Sequence, residues 1–355
     1  MRSGGWAPIK RPGSFMRQAT IYLPPQSDLA SILGFARNLD EYAKHDRLIV
    51  DFGERRFFSP FSMLFIASKF KSLRVKNLSQ HLEPKGHKAH TYLAHMGFFH
   101  MCGFDFGRGI GEALGNDNHL PITRLERKSL FEAPTDKYEV LQNLVERRAE
   151  HLALVIARDR QKNADLFDAL SYSIREVMRN VFEHSQAPFL YYCAQYWPTS
   201  NKVEFAIADF GIGIRRGLSE NPNFRFDTDK QAIEYSLLPS VSGKTHLPRR
   251  SDDWHNSGYG LYMTNRLARN GGNFLLASGK TAVHLSRKTK GNYETSFPGT
   301  ALRFNLDVNE IGSVQERLAQ FRKEGAEMAK TISGTGNRPP SAMSLLLRRD
   351  YESTP

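Results

Sequence analysis

The sequence predicts an α/β (α+β) protein in two parts, a smaller α/β module followed by a larger sheet covered by helices. Strands and helices alternate between Ala19 and Leu125, one amphipathic helix dominates the middle of the chain, and the strands beyond it are joined by glycine-rich turns. With 355 residues the chain exceeds one average domain, so each part can bury its own core.

Residues 1–18 are rich in Gly, Pro, Ser and basic residues and read as a loose arm. ATIYLP (Ala19 to Pro24) reads as a strand, and Asp28 to Lys44 as an amphipathic helix capped by Ser27 or Asp28. RLIVDFG (Arg47 to Gly53) reads as a buried strand. Ser59 to Leu73 follows as a helix opened by Ser59-Pro60, where the missing proline N–H costs nothing. HTYLAHMGFFHMCGFDFGRG supplies a last helix and Leu120 to Leu125 a last strand, which bounds this module at 19–130. His87, His90, His95 and His100 are irregularly spaced around that helix and read as scattered surface residues. Ala133 to Asp165 reads as a long charged helix, containing His151, that joins the two parts.

Leu166 to Ser185 then forms one helix with two stripes. Leu166, Leu170, Ile174, Val177 and Val181 recur at helical spacing toward a core, while Glu176, Asn180 and His184 recur every fourth residue on an adjacent face. Phe189 to Trp197 and Val203 to Ile214 form a hairpin whose second strand ends in Asp209-Phe210-Gly211-Ile212-Gly213. The two glycines let the backbone turn sharply and approach a ligand closely. Arg215 to Ser257 is polar and too long for an ordinary loop; with one helix inside it, it reads as a lid or a disordered segment. It ends in Asn256-Ser257-Gly258-Tyr259-Gly260-Leu261, which runs into the helix LYMTNRLARN. NFLLAS, TAVHLS and Phe297 to Asp307 complete the sheet, and the helix and tail beyond them, ending in Ser333 to Pro355, read as peripheral.

Composition narrows the function classes. A formal charge of +12 permits nucleic acid or anionic lipid as a partner, and a protein gathering Lys and Arg near a nucleotide meets it equally. Only Cys102 and Cys193 occur, far apart, which supports neither a disulfide framework nor a structural zinc site. No apolar signal region opens the chain, and no run approaches the roughly 18 apolar residues of a membrane span, so the expected setting is cytoplasmic without a membrane partner.

RLIVDFGERRFFSPFSMLFIASKF carries an aspartate-ended strand, a short loop and a helix with serine near its start, and in this it resembles the STAS fold of anti-sigma factor antagonists. The resemblance implies that Ser59 or Ser62 stands where such modules carry a phosphorylatable serine; a plain helix-capping serine is the other reading. Four further pieces are more specific. Glu176-x-x-x-Asn180 on a helix, Asp209-x-Gly211-x-Gly213 after a strand, Gly258-x-Gly260 opening a helix and Gly299-Thr300 entering a strand resemble, in that order, the GHKL (Bergerat-fold, HATPase) ATP-binding family over residues 166–308. The resemblance implies a Bergerat-fold sandwich over 166–310, with a mixed sheet covered by helices. The spacing to His184 and the STAS-like neighbour are similar to the anti-sigma switch serine kinase branch. Too little chain follows Thr300 for the transducer domain of gyrase or MutL, and no credible phospho-acceptor histidine or sensor segment points to a histidine kinase. Val181 and Ser257 depart from the small residue and the glycine usual at those places.

The residue chemistry fits these roles. Asp209, an acceptor-only carboxylate, can take a hydrogen bond from the exocyclic amine of adenine but would face the carbonyl of guanine unpaired. Thr300 supports that contact in the resembling proteins. Asn180 offers an amide oxygen to Mg²⁺. Gly258 and Gly260, in the turn that includes Tyr259 and Leu261, bare backbone N–H groups at a helix start where phosphate is favoured. Glu176 is spaced to orient or deprotonate a nucleophile. Lys244, Arg249 and Arg250 could contact phosphates from the lid. Gly243-Lys244-Thr245 and Gly279-Lys280-Thr281 are not P-loops, because Leu238 and Phe274 stand where the first glycine is required. Asp209-Phe210-Gly211 lacks the other stretches of a protein kinase.

The expected function is therefore an Mg-ATP-binding regulator. It would hydrolyse ATP or transfer the γ-phosphate to a protein serine or threonine, with a STAS-type or sigma-like protein as partner; a homodimer is open. The alternative is a non-catalytic, nucleotide-dependent interaction protein that binds nucleic acid through its basic surface.

Overall fold

The computed structural model describes residues 17–24, 28–54, 57–116, 118–127, 137–157, 162–246 and 258–332. The N-terminal arm before Arg17, the start of the joining helix, Arg249, Arg250, Asn256, Ser257 and the tail from Ser333 lie outside them.

In chain order the first elements are β1 (Gln18–Tyr22), α1 (Leu29–Asn38), β2 (Arg47–Asp51), α2 (Pro60–Lys76) and β3 (His81–Lys85). β1, β2 and β3 pair in parallel, with β2 central. Asp28 caps α1 by accepting the Ser31 N–H at 3.0 Å, and Ser59 caps α2 with Pro60 in its first turn. β3 has no counterpart in the expected strands: His81 to Lys85 is charged and contains Pro84, which fits only an edge position. The helix expected around His90 to Cys102 divides into α3 (Thr91–His95) and α4 (Phe98–Cys102), because Gly97 turns the chain with φ +81.

β4 (His119–Glu126) carries the Leu120 to Leu125 strand, but it does not join the parallel sheet. It pairs with β5 (Phe189–Trp197), at the edge of the second sheet. Between them lie α5 (Lys137–Ala157) and α6 (Ala164–Asn180), the latter extended by a π-helical turn over Val181–Ser185. β6 (Lys202–Asp209), α7 (Gly213–Leu218), α8 (Asp229–Ser236), α9 (Gly260–Gly271), β7 (Gly272–Ser286), β8 (Lys290–Asp307) and α10 (Val314–Ala329) follow. The second sheet runs β4-β5-β6-β8-β7. The α/β (α+β) class holds, but every pairing in this sheet is antiparallel rather than mixed.

The layers explain the burial. α5, α6, α9 and α10 cover one face of the antiparallel sheet, where Phe205, Ile207, Leu302 and Phe304 meet Leu170, Met178 and Met263. α10 is part of this core rather than peripheral, since Val314, Leu318 and Phe321 are buried in it. The opposite sheet face packs against α1 and α2, whose other side meets the parallel sheet. α2 thus lies between two sheets and is buried continuously from Pro60 to Phe70, which is what its nearly unbroken apolar run requires. The two parts of the chain share this core.

Polar links cross it. Glu204, 1% exposed on β6, accepts the backbone N–H of Phe61 at 2.8 Å and the Arg303 Nε–H at 2.7 Å. The carboxylate there also faces the positive end of α2. Buried Lys69 donates to Asp40 and Ser296, both at 2.9 Å, so α2, the 3₁₀ turn after α1 and β8 are tied together. Cys102 and Cys193 are free and buried, and burial raises both thiols well above their ordinary range. His90 is buried against Phe52 rather than lying on the surface; His95 is exposed. Among the described residues no helix is long and apolar enough to cross a membrane.

Candidate functional site

The expected site residues come from four separate stretches, and the fold brings most of them to one cavity between the antiparallel sheet, α6 and α9. Asn180, Asp209, Gly213, Gly258, Gly260, Leu261 and Thr300 all line it. Strand alternation explains the floor: Val203, Phe205 and Ile207 share a face with Asp209, and Asp209 pairs directly with Thr300 of β8.

Asp209 is 1% exposed. Burial raises its carboxyl to about 7, against hydrogen bonds from the Gly211 and Thr300 backbones and the Ser185 side chain that favour the charged form. The Gly211 N–H donates to Oδ1 at 2.7 Å, so Gly211 supports Asp209 without lining the cavity. Gly213 has φ +76, and a Cβ there would stand 2.9 Å from Ser278 Oγ. That hydroxyl accepts the Ile214 N–H and donates to the Gly299 carbonyl, fixing the turn beneath the cavity.

The π turn shapes the opposite wall. Val181, His184 and Ser185 reach the cavity from it, and Asn180 from the last position of α6. Burial, Lys244 and Arg179 depress His184 to about 3, so its imidazole is neutral at pH 7. Lys244 does not line the cavity; its Nζ donates to the Glu183 carbonyl at 2.7 Å, while neighbouring Ser242 and Gly243 form the rim.

Glu176 departs from its expected place. Its side chain is 1% exposed and does not line the cavity. Oε1 lies 3.4 Å from Arg175 Nη2 and 3.5 Å from Arg179 Nη1, while Arg175 reaches Glu146 of α5 and Arg179 reaches Glu183. The carboxylate is thus held in a buried charge cluster behind the start of α9. Tyr259 is also turned away, its side chain fully buried in the helical core beside Tyr262, and burial pushes its hydroxyl up to about 12. Arg249, Arg250 and Ser257 are outside the described residues.

Ser59 and Ser62 lie elsewhere. The helix start they occupy is bonded to Glu204, which points to the opposite face of the sheet from Asp209 and stands five residues before it on β6, roughly 16 Å along the strand at about 3.3 Å per residue. Ser62 is moreover 1% exposed. The cavity and the two serines thus lie on opposite faces of the sheet.

Ser185 and Ser278 were missed. Ser185 follows His184 at the end of a helix and Ser278 closes the apolar run Phe274 to Ala277 inside β7, and in sequence neither stands out from capping or surface serines; only the fold brings them beside Asp209 and Gly213. No protein-family model and no curated protein matches the chain.

Proposed function

We propose that this chain is an Mg-ATP-binding regulatory protein of the GHKL type. The observation that carries the reading is the convergence of Asn180, Asp209, the Gly258 to Leu261 turn and Thr300 on one cavity. The residues fit the nucleotide. Asp209 is a buried acceptor able to receive the exocyclic amine of adenine, and the hydrogen bonds it accepts from Gly211 and Ser185 help keep it ionised for that task. Gly258 and Gly260 bare the N-terminal amides of α9 for phosphate. Asn180 would hold Mg²⁺ through its amide oxygen. Bound ATP supplies a phosphoanhydride whose terminal group can be hydrolysed or passed to a serine or threonine of a partner protein, a STAS-type or sigma-like regulator. Such a switch belongs in the cytoplasm.

A second reading, nucleotide binding without chemistry, is favoured by the position of Glu176. A carboxylate enclosed by two arginines and off the cavity wall is not poised as a general base.

One experiment separates them: the γ-phosphate of labelled Mg-ATP is followed during incubation with the full chain, beside a direct measurement of binding. Free phosphate or label on a protein supports a catalytic switch. Saturable binding with all label left on ATP supports the second reading, and no binding overturns both.

A further inference from the structure

Away from the cavity, two imidazoles from different parts of the chain face each other. His95 ends α3, and His119 opens β4, the edge strand of the antiparallel sheet. Their Nε2 atoms are 3.1 Å apart, with the rings nearly perpendicular at 81°. Two nitrogens bound to one ion at about 2.0–2.1 Å stand roughly 2.9 Å apart at a right angle and roughly 3.4 Å apart at the tetrahedral angle. The observed separation falls between these values. His95 is exposed and His119 half-buried, so an ion can reach both.

The pair is also held in place. The backbone N–H of His119 donates to Asn116 Oδ1 at 3.1 Å, and Ile122 on the same strand donates its N–H to the carbonyl of Met96, the residue after His95, at 3.0 Å. Hydrogen-bonded backbone thus anchors the two segments that present the rings.

We propose that His95 and His119 form a two-imidazole site for a divalent transition-metal ion of the zinc, copper and nickel class, clamping α3 to the edge strand β4. Imidazole nitrogen selects these ions over Mg²⁺ and Ca²⁺. Among the described residues no group of three or more His, Cys, Asp or Glu side chains converges, so the protein supplies two ligands and water completes the shell. The ion bridges the two parts of the chain and stabilises the folded state by mass action.

The test is calorimetric titration of the tag-free full chain with zinc chloride, repeated for His95→Ala, His119→Ala and His100→Ala. The expected result is saturable uptake of one ion per chain, lost in the first two variants and kept in the third, whose histidine lies on α4 outside the pair. Zinc should also raise the melting temperature of the wild type and not of His95→Ala, a change at an exposed position that leaves the fold intact. No saturable uptake by the wild type, or uptake by His95→Ala equal to the wild type, overturns the site and leaves a simple imidazole–imidazole hydrogen bond.

Discussion

The carboxylate of Glu176 sits directly behind Gly260: a Cβ added to that glycine would stand 2.2 Å from Oε2. The expected base and the expected phosphate-binding turn are thus in contact, while Gly260 lines the cavity and Glu176 does not. Gly260→Ala should destabilise the fold by about 1–3 kcal/mol through overpacking. The cost should shrink when Glu176 is also truncated, because the space it fills is then open. Urea unfolding of the two single variants and the double variant measures this coupling, and strictly additive costs would mean the contact is not made.

Glu176→Ala alone should behave as a core substitution. It withdraws the carboxylate shared by Arg175 and Arg179, which are 3% and 1% exposed, and leaves their charge less compensated. Breaking a buried pair in this way costs about 3–5 kcal/mol, the low end applying here because Glu146 and Glu183 remain as partners. An unfolding midpoint equal to the wild type would place Glu176 in solvent and restore it as a candidate base.

Asp209 should make stability and nucleotide recognition respond oppositely to pH. Its folded pKa, about 7, lies above the ordinary 3.8, so its contribution to stability is full below 3.8 and is lost as pH rises through about 7. Recognition of an adenine amine needs the ionised form, so ATP affinity should fall as pH drops below about 7. Asp209→Asn should weaken ATP binding about 10- to 100-fold and flatten its pH profile. The same change should stabilise the free protein at pH 8 by on the order of 1–3 kcal/mol, since no charge is then buried. Calorimetric melting and nucleotide titration at pH 6 and pH 8 check both directions; a variant that binds like the wild type removes Asp209 from the site.

Local signals in the sequence went a long way. β1, β2, β5 and β6, the Ser59-Pro60 start of α2 and the turns at Gly213 and Gly258 follow from patterns that depend on near neighbours. What could not be read depends on which surfaces meet. The alternation in Leu120 to Leu125 is the same whichever sheet the strand joins, so its transfer to the antiparallel sheet has no local mark. Arg175 and Arg179 are buried although charged, because Glu146 of α5 and Glu183 of the π turn supply them with carboxylates, and nothing in the helix's own spacing marks that. That enclosure moves Glu176 off the cavity while Asn180, one turn later, stays on it.

Glu204 should be the residue on which the union of the two parts depends most. Its carboxylate, nearly inaccessible to water, satisfies the Phe61 N–H at the start of α2 and the Arg303 guanidinium at once. Glu204→Ala leaves a helix-terminal donor and a largely buried cation without their acceptor, at roughly 2–4 kcal/mol. Glu204→Gln keeps an acceptor oxygen but loses the charge, and should cost less. Because α2 is enclosed by both sheets, the loss should appear as one cooperative transition at lower denaturant, with amide exchange rising in α2 and β6 together. Exchange that rises in α2 while β6 keeps its full protection would show that the two parts open independently, and that their shared core contributes less than its burial implies.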